Sequence, residues 1–178
     1  MAERIESRRL YDGRLFKVVL ERFKIDGKII SREIVKHPGA AAILPILPDG
    51  RILLIRQYRH AVGETLVEIP AGTLEEGEEP EACAYRELEE ETGYRAGRLR
   101  RLAALALAPG YSSEIIHIYL AEDLEEAQPH PEEDESITLL RLGLVEVVEM
   151  IRRGGIRDAK TVAAVLLYLL EKNGLRIV

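Results

Sequence analysis

The stretch of sequence that decides the fold is GTLEEGEEPEACAYRELEEETGY, residues 72–94. Within it, the segment Glu78 to Thr92 has a proline near its start, Pro80, and a glycine just past its end, Gly93. Proline near the start and glycine just past the end are typical of an α-helix. Proline fits the first turn, where its missing N–H is not needed, and glycine readily adopts the left-handed conformation that closes the helix. We therefore predict a helix over residues 78–92.

This predicted helix carries a cluster of carboxylates. Positions three and four apart share one helix face, so Glu87, Glu90 and Glu91 project together. Carboxylates held side by side repel one another unless a cation neutralises them. Oxygen-only ligands suit hard cations such as Mg²⁺ or Mn²⁺. Ala84 and Leu88 form an apolar line, which we expect to pack the helix on a sheet.

From the residues alone, two interpretations of these carboxylates stay open. Glu-rich helices are usually solvated faces, and that is the general expectation for a charge run. Two features strengthen the metal-binding interpretation: the carboxylates follow a glycine-bounded loop, and a Pro70-Ala71-Gly72 turn lies at its start. Arg86 and Glu78 are predicted to form an ion pair that ties the helix to this loop.

Around the helix, the chain reads as short strands joined by turns. Asp26-Gly27 is a strong two-residue hairpin signal, because such a turn needs positive φ, and it predicts pairing of residues 15–25 with 28–36. The acidic stretch 122–135 contains two prolines and is predicted as a loop. Further strands are predicted at residues 40–47, 51–59, 65–69, 98–107, 114–121 and 136–142, and helices at 144–153 and 160–172. This is the pattern of a mixed α/β domain with helices outside its sheets.

Length, charge and cysteine content restrict the class of protein. A chain of 178 residues, 47% hydrophobic, fits one domain with a substantial core. The net charge of −6 argues against non-specific binding to a nucleic acid polymer or an anionic membrane. The longest strongly apolar run, Val162 to Leu170, is too short to span a bilayer. The one cysteine, Cys83, excludes an internal disulfide and fits a cytoplasmic protein.

Residues 72–94 resemble the Nudix box, Gly-x5-Glu-x7-Arg-Glu-U-x-Glu-Glu-x-Gly-U, in which U is a bulky apolar residue. Every fixed position is filled, by Gly72, Glu78, Arg86, Glu87, Leu88, Glu90, Glu91, Gly93 and Tyr94. Tyr94 is the one loose fit, since it is aromatic rather than aliphatic. The resemblance implies an α/β fold, an α/β/α sandwich with a mixed sheet and an N-terminal antiparallel strand pair. Residues 1–38 would form an arm for dimerisation and base binding, and residues 39–178 the catalytic domain.

The resemblance also implies a metal-dependent hydrolase, with Mg²⁺ as the cofactor and Mn²⁺ as an alternative. Glu87, Glu91 and the backbone carbonyl of Ala71 would be direct ligands, and Glu90 a ligand either directly or through water. Arg86 would orient the carboxylates, as groups behind metal ligands commonly do. The reaction would be attack of water on a phosphorus of a diphosphate, with the metal lowering the pKa of that water.

The flanks of the box resemble the ADP-ribose pyrophosphatase subgroup. The resembling segments are SREIVKHPG at 31–39, RQYR at 56–59, EIPAG at 68–72, APG at 108–110 and IRDAKT at 156–161. This likeness implies hydrolysis of ADP-ribose to AMP and ribose 5-phosphate. Arg32 and Arg59 would hold the adenosine and phosphate portions, because a guanidinium can stack on a base and can also donate two parallel hydrogen bonds to a phosphate. Pro109 matches the proline associated with ADP-ribose preference, Gly110 beside it is expected to bind substrate as well, and Glu114 would bond the terminal ribose.

Without the family likeness, Arg32 and Arg59 are interpreted first as surface strand residues in ion pairs, and Glu114 is equally compatible with a solvent-facing residue at a strand start. For the general base we prefer Glu135, the last carboxylate of an acidic loop, while the neighbouring glutamates and the box glutamates remain alternatives.

The subgroup likeness further implies a homodimer in which N-terminal strands cross a two-fold axis. Two rival functions also remain. One is hydrolysis of another nucleotide-sugar, such as GDP-mannose. The other is a Nudix-fold nucleotide-binding regulator without catalysis, which we would expect to have lost box glutamates.

Overall fold

The structure is a computed structural model, and it describes residues 2–128 and 136–175. The order of its elements is the mixed α/β order predicted from the sequence. The strands are β1 Glu3–Asp12, β2 Lys17–Ile25, β3 Lys28–Lys36, β4 Ala40–Pro45, β5 Ile52–Arg59, β6 Glu64–Glu68, β7 Ala71–Thr73, β8 Tyr94–Ala106, β9 Ile115–Glu126 and β10 Ile137–Leu142. The helices are α1 Pro80–Thr92, α2 Leu144–Arg152 and α3 Ala159–Lys172.

Two sheets form the centre of the protein. One has the order β7-β4-β9-β8, in which only β4 and β9 are parallel, and the other is the antiparallel sheet β10-β5-β6. Strand β4 is buried along its whole length, and its residues alternate between two faces. Ala42 and Leu44 belong to the core formed with α2 and α3, whereas Ala41 and Ile43 belong to the core formed with α1. The predicted α/β/α sandwich with a mixed sheet is therefore confirmed.

Helix α1 docks on the sheet through the predicted apolar line. Cys83, Ala84 and Leu88 are fully buried in the core beneath the helix. Burying one leucine side chain contributes about 1.5–3 kcal/mol, so this contact is a main reason the helix has a fixed rotation on the sheet. The helix begins at Pro80, two residues after the predicted start, and is closed by Gly93 as predicted, with a left-handed φ of 69°.

The N-terminal arm is the antiparallel sheet β1-β2-β3. The predicted hairpin is confirmed, since Asp26 and Gly27 have φ of 49° and 80° and β2 pairs with β3. The sequence missed β1, so the predicted strand pair is a three-stranded sheet. β1 is polar and exposed, and it is held by backbone pairing with β2 and by cross-strand ion pairs such as Arg22–Glu6 at 2.9 Å.

Two further predictions are corrected by the pairing of strands. Residues 70–72 were expected to be a turn, but Ala71 and Gly72 belong to strand β7, because they lie opposite β4. Residues 122–126 were expected to start a loop, but they continue β9 opposite the basic strand β8. There the acidic side chains find basic partners across the ladder, as in the Arg98–Glu122 pair at 2.9 Å. Residues 127 and 128 lie outside any strand.

Within residues 2–128 and 136–175, none of the helices has the length and apolar character needed to cross a bilayer.

Candidate active site

Arg86 is the centre of the polar face of α1. Its Nε and Nη2 donate to the two carboxylate oxygens of Glu78 at 2.9 and 3.0 Å, so the predicted ion pair to the preceding loop is present. Its Nη1 donates to Glu87 at 2.6 Å and to Glu90 at 3.0 Å. The bonds to Glu78 and the charge of Glu87 raise the pKa of Arg86 far above its ordinary value, although burial opposes this. Arg86 therefore stays cationic and holds the two box carboxylates side by side.

The third box carboxylate faces the strand that precedes the box. Glu91 is 5% exposed, and one of its oxygens accepts a hydrogen bond from the backbone nitrogen of Ala71 at 2.9 Å. The predicted ligand residues Ala71 and Glu91 are thus in direct contact. A carboxylate held this way has a fixed orientation relative to the backbone of residues 71–73.

Gly72 lets the helix approach this strand. A Cβ atom built on Gly72 would overlap the carboxylate carbon and both oxygens of Glu87. The missing side chain is therefore what leaves room for the Glu87 carboxylate against the backbone. Gly72 has no positive φ, so glycine is required here by close approach rather than by backbone conformation.

The donor set fits a hard divalent cation. Within residues 2–128 and 136–175, no three acidic, histidine or cysteine side chains converge closely enough to enclose an ion. Glu87 and Glu90 nevertheless both line one cavity, and both already bind the single cationic nitrogen Nη1 of Arg86. Two carboxylates that share one cation, beside a backbone strand at Ala71, offer only oxygen ligands, which is the chemistry that Mg²⁺ and Mn²⁺ prefer.

This carboxylate cavity is one half of a longer slot. It has a volume of about 590 Å³, and a neighbouring cavity of about 460 Å³ lies on the other side of the residues that both share. The shared lining residues are Leu15, Arg59, Ala71, Gly72 and Thr73. The second cavity is more apolar, with Phe16, Leu107 and Tyr111 among its walls. The slot therefore joins an end that contains the box carboxylates, here called the acidic half although Arg14, Arg59 and Arg86 also line it, to an end that suits a flat or apolar group.

Arg59 lies at the junction of the two halves. Its Nε and Nη2 donate to the two oxygens of Glu68 at 2.9 and 3.0 Å, which fixes the plane of the guanidinium. Lys160 also binds this carboxylate, at the oxygen that accepts from Nη2 of Arg59. Burial lowers the pKa of Arg59, but the hydrogen bond and charge of Glu68 more than offset this and raise it. Arg59 is thus a permanent cation facing the slot.

The remaining predicted binding residues are placed differently. Glu114 lines the second cavity, as do Ala108, Tyr111 and Ser112. Pro109 and Gly110 are exposed at the tip of the same turn and are not among the lining residues. Arg32 is exposed on β3, where its Nη1 donates to the carbonyl of Ser31 at 2.9 Å, and it lines neither half of the slot. Glu135, together with the neighbouring Glu132 and Glu133, lies outside the described residues.

Several residues of the slot were not found by the sequence analysis. The connection between β1 and β2 brings Arg14 to the acidic half, Phe16 to the apolar half and Leu15 to both. The start of α3 brings Asp158 and Lys160 to the apolar half. The IRDAKT segment pointed to the start of α3, but the family resemblance did not assign a role to any individual residue in it. The first group has no motif.

The arm is joined to the turn at 108–113 within the same chain. Val35 donates to the carbonyl of Tyr111 at 2.8 Å, and Ser113 donates to the carbonyl of Val35 at 2.9 Å. The backbone nitrogen of His37 also donates to Oγ of Ser113 at 3.0 Å. These bonds fix the end of β3 beside the apolar half of the slot.

Comparison with known proteins gives consistent results over nearly the whole chain. The chain is 40% identical over 175 residues to an ADP-ribose pyrophosphatase of Bacillus subtilis, covering 97% of this chain and 94% of that protein. It is 39% identical to a methanol dehydrogenase activator of Bacillus methanolicus, covering 94% and 92%. It is 36% identical to a GDP-mannose pyrophosphatase of Escherichia coli, covering 83% of each.

A solved structure and a family profile point the same way. The crystal structure of an ADP compounds hydrolase superimposes with a TM-score of 0.84 and 26% identity, covering 98% of this chain and 97% of that chain. The profile of the NUDIX domain matches residues 35–165, which include the box, Arg59 and the start of α3. The chain therefore belongs to the Nudix hydrolase family.

Proposed function

We propose that this protein hydrolyses the diphosphate of ADP-ribose, releasing AMP and ribose 5-phosphate, with Mg²⁺ or Mn²⁺ as cofactor. The observation that carries the proposal is the two-part slot, in which box carboxylates line one half, apolar and aromatic side chains line the other, and Arg59 stands between. A nucleoside diphosphate linked to a sugar has the same order of groups. The relative named ADP-ribose pyrophosphatase supports the choice of substrate.

In this proposal the metal is held by Glu87, Glu91 and the carbonyl of Ala71, with Glu90 binding directly or through water. When bound, the ion neutralises the diphosphate and makes a water molecule nucleophilic. Arg86 holds Glu87 and Glu90 in place through its Nη1. Removing a group that orients metal ligands lowers metal affinity or activity by about 10- to 100-fold, so Arg86 is a positioning residue.

The remaining roles are assigned to residues around the slot. Arg59 binds the diphosphate, because its guanidinium is a fixed cation at the junction of the two halves. Glu114 is assigned to ribose hydroxyls, and Pro109 with Gly110 shapes the turn that carries the apolar wall. Arg32 is assigned to the base through a second protomer, because within one chain it lies away from both cavities. Glu135 is assigned as the general base.

The test is a substrate panel with Mg²⁺. ADP-ribose, GDP-mannose, FAD and diadenosine polyphosphates are each incubated with the protein, and the rate of product release is compared. We expect AMP and ribose 5-phosphate from ADP-ribose to appear fastest. Repeating the reaction in ¹⁸O-labelled water identifies the phosphorus attacked from the product that carries the label. Preference for any other member of the panel by tenfold or more would reject ADP-ribose as the substrate.

Two other functions have relatives that favour them. Hydrolysis of GDP-mannose is favoured by the likeness to a GDP-mannose pyrophosphatase and is decided by the same panel. A regulatory role is favoured by the likeness to a methanol dehydrogenase activator. A regulator of this kind would bind nucleotide tightly without Mg²⁺-dependent hydrolysis. The presence of every glutamate of the Nudix box argues against this role.

We also propose a cytoplasmic homodimer. The arm is largely polar but exposes large apolar side chains, among them Ile5, Leu10 and Ile29, and exposed apolar side chains on a sheet are often covered by a partner. Cytoplasmic location is supported by the single cysteine, Cys83, which is a buried free thiol. Light scattering at micromolar concentration should give twice the mass of 20.0 kDa, and a monomer mass would reject the dimer.

A further inference from the structure

We propose that Glu68 is a positioning residue, a buried carboxylate that sets the direction in which Arg59 enters the slot. This inference rests on the proposed function, because it concerns how the diphosphate is bound. Glu68 ends β6, three residues before Ala71, and its side chain is 1% exposed. It lines neither half of the slot, whereas Arg59 lines both. Glu68 therefore acts on substrate only through the cations that it holds.

The contact between Glu68 and Arg59 determines orientation as well as charge. Two nitrogens of the guanidinium donate to the two oxygens of the carboxylate, at 2.9 and 3.0 Å. Two parallel bonds fix the guanidinium plane, which a single ion pair does not. In the register of β5 and β6, Arg59 lies opposite Glu64, so the side chain of Arg59 reaches along the sheet to meet Glu68.

A second cation, Lys160, binds one of the same Glu68 carboxylate oxygens that Arg59 binds. Lys160, in the first turn of α3, binds the Glu68 carboxylate, and its Nζ also lies 3.1 Å from Oδ1 of Asp158. Asp158 caps α3 by accepting from the backbone nitrogen of Thr161 at 2.9 Å. Oγ1 of Thr161 in turn accepts from the backbone nitrogen of Ile69 at 2.9 Å. The start of α3 and the end of β6 are thus bound together at two adjacent positions, which leaves Glu68 little freedom to move.

Removing only the charge of Glu68 should therefore move Arg59. Without the carboxylate, Arg59 and Lys160 become two like charges on the same wall, and like charges repel. A neutral amide also lacks a second acceptor oxygen, so it cannot keep both guanidinium bonds. Arg59 would remain present and charged but would no longer have one fixed direction.

The experiment compares Glu68→Gln with the matched control Glu64→Gln. Glu64 lies on the same strand and also forms an ion pair with the segment before α3, through Arg157, but it is exposed and lines neither cavity. We expect Glu68→Gln to lower kcat/KM for ADP-ribose by about 10- to 100-fold, since bonds to charged groups contribute a factor of this size. Glu64→Gln should stay within about twofold of wild type. Equal values for both variants would overturn the inference.

A double-mutant cycle with Arg59→Ala separates positioning from a general structural effect. If Glu68 acts through Arg59, adding Glu68→Gln to the Arg59→Ala variant should change kcat/KM by less than about twofold. Independent losses that multiply would overturn the inference. Should Glu68→Gln fail to fold, Glu68→Asp keeps the charge but shortens the side chain, and the same cycle is run with it.

Binding of AMP and adenosine supplies a readout without catalysis. Calorimetry should show that Glu68→Gln weakens AMP but not adenosine, because only AMP carries the phosphate that Arg59 would bind. Equal weakening of both ligands would indicate a merely structural role and reject the inference. A wild-type protein that does not hydrolyse ADP-ribose would reject the proposed function, and the comparison of AMP with adenosine would still decide the role of Glu68.

Discussion

Gly72→Ala is the substitution that tests the candidate active site most directly. The three atoms nearest to an added Cβ would all belong to the carboxylate of Glu87, at 1.8 to 2.4 Å. The backbone of Gly72 has no positive φ, so alanine is compatible with it. The substitution therefore acts on one box carboxylate while leaving the chain path unchanged.

The size of the effect follows from this overlap. Ordinary van der Waals contact begins at 3.4 Å, so the carboxylate must withdraw by about 1.5 Å. Metal–ligand distances tolerate only about 0.2 Å, so Glu87 would be lost as a ligand. We expect Mg²⁺ affinity or kcat to fall by at least about 10- to 100-fold. Stability should change by less than about 1 kcal/mol, because a strained Glu87 rotamer is offset by the reduced chain entropy of the unfolded state.

The assay is a Mg²⁺ titration of ADP-ribose hydrolysis, together with Mn²⁺ binding by calorimetry and a thermal melt. Gly143→Ala is the control, since no atom lies near its added Cβ and its φ is −67°. A Gly72→Ala protein that melts like wild type but has lost its metal dependence would agree with this reasoning. A folded Gly72→Ala variant with wild-type metal affinity and turnover would refute this reasoning. Metal binding would then not depend on the position of the Glu87 carboxylate against the backbone of Gly72.

Three further predictions follow from buried or acidic groups. Burial raises the pKa of the Cys83 thiol to about 12, so a thiol reagent at neutral pH should label the protein only on unfolding; rapid labelling of folded protein would contradict this burial. Burial alone would raise the pKa of Glu68, but hydrogen bonding to Arg59 and the charge of Lys160 lower this pKa in the folded protein. The contribution of Glu68 to the free energy of unfolding is therefore fully present above the pKa of the unfolded state and is lost as pH falls through the pKa of the folded state. Melting temperatures measured from neutral to acid pH should therefore fall more steeply for wild type than for Glu68→Gln, and parallel curves would disprove it. Glu135→Gln should lower turnover far more than substrate affinity, as steady-state kinetics would measure, and near-normal turnover would remove Glu135 as the general base.

The sequence by itself determined the parts of the protein that depend on neighbouring residues. Helix α1 was predictable because its proline, its closing glycine and its apolar spacing act within one segment, and the structure places all three as expected. The β2–β3 hairpin was predictable for the same reason, since Asp26-Gly27 meets the positive-φ requirement of its turn. The fold class followed from the order of such segments and from the resemblance of the box.

The errors in the strand predictions arose where long-range pairing overrides local character. β1 is too polar to show a strand pattern, and it is a strand because β2 supplies its backbone partners. Residues 122–126 are acidic but remain in β9, because β8 supplies basic residues opposite them. In both places the stabilising partner is another strand, so the segment alone cannot reveal it.

Only the tertiary structure decided the shape of the slot and the direction of Arg59. Glu68 and Lys160 are 92 positions apart in the chain, yet they share one buried ion pair that holds this arginine. Leu15 and Phe16 carry no motif and line the slot only because the arm folds back onto the domain. Local sequence encodes backbone propensity within a few residues, whereas these contacts depend on where distant elements pack, which is settled by burial of the whole core.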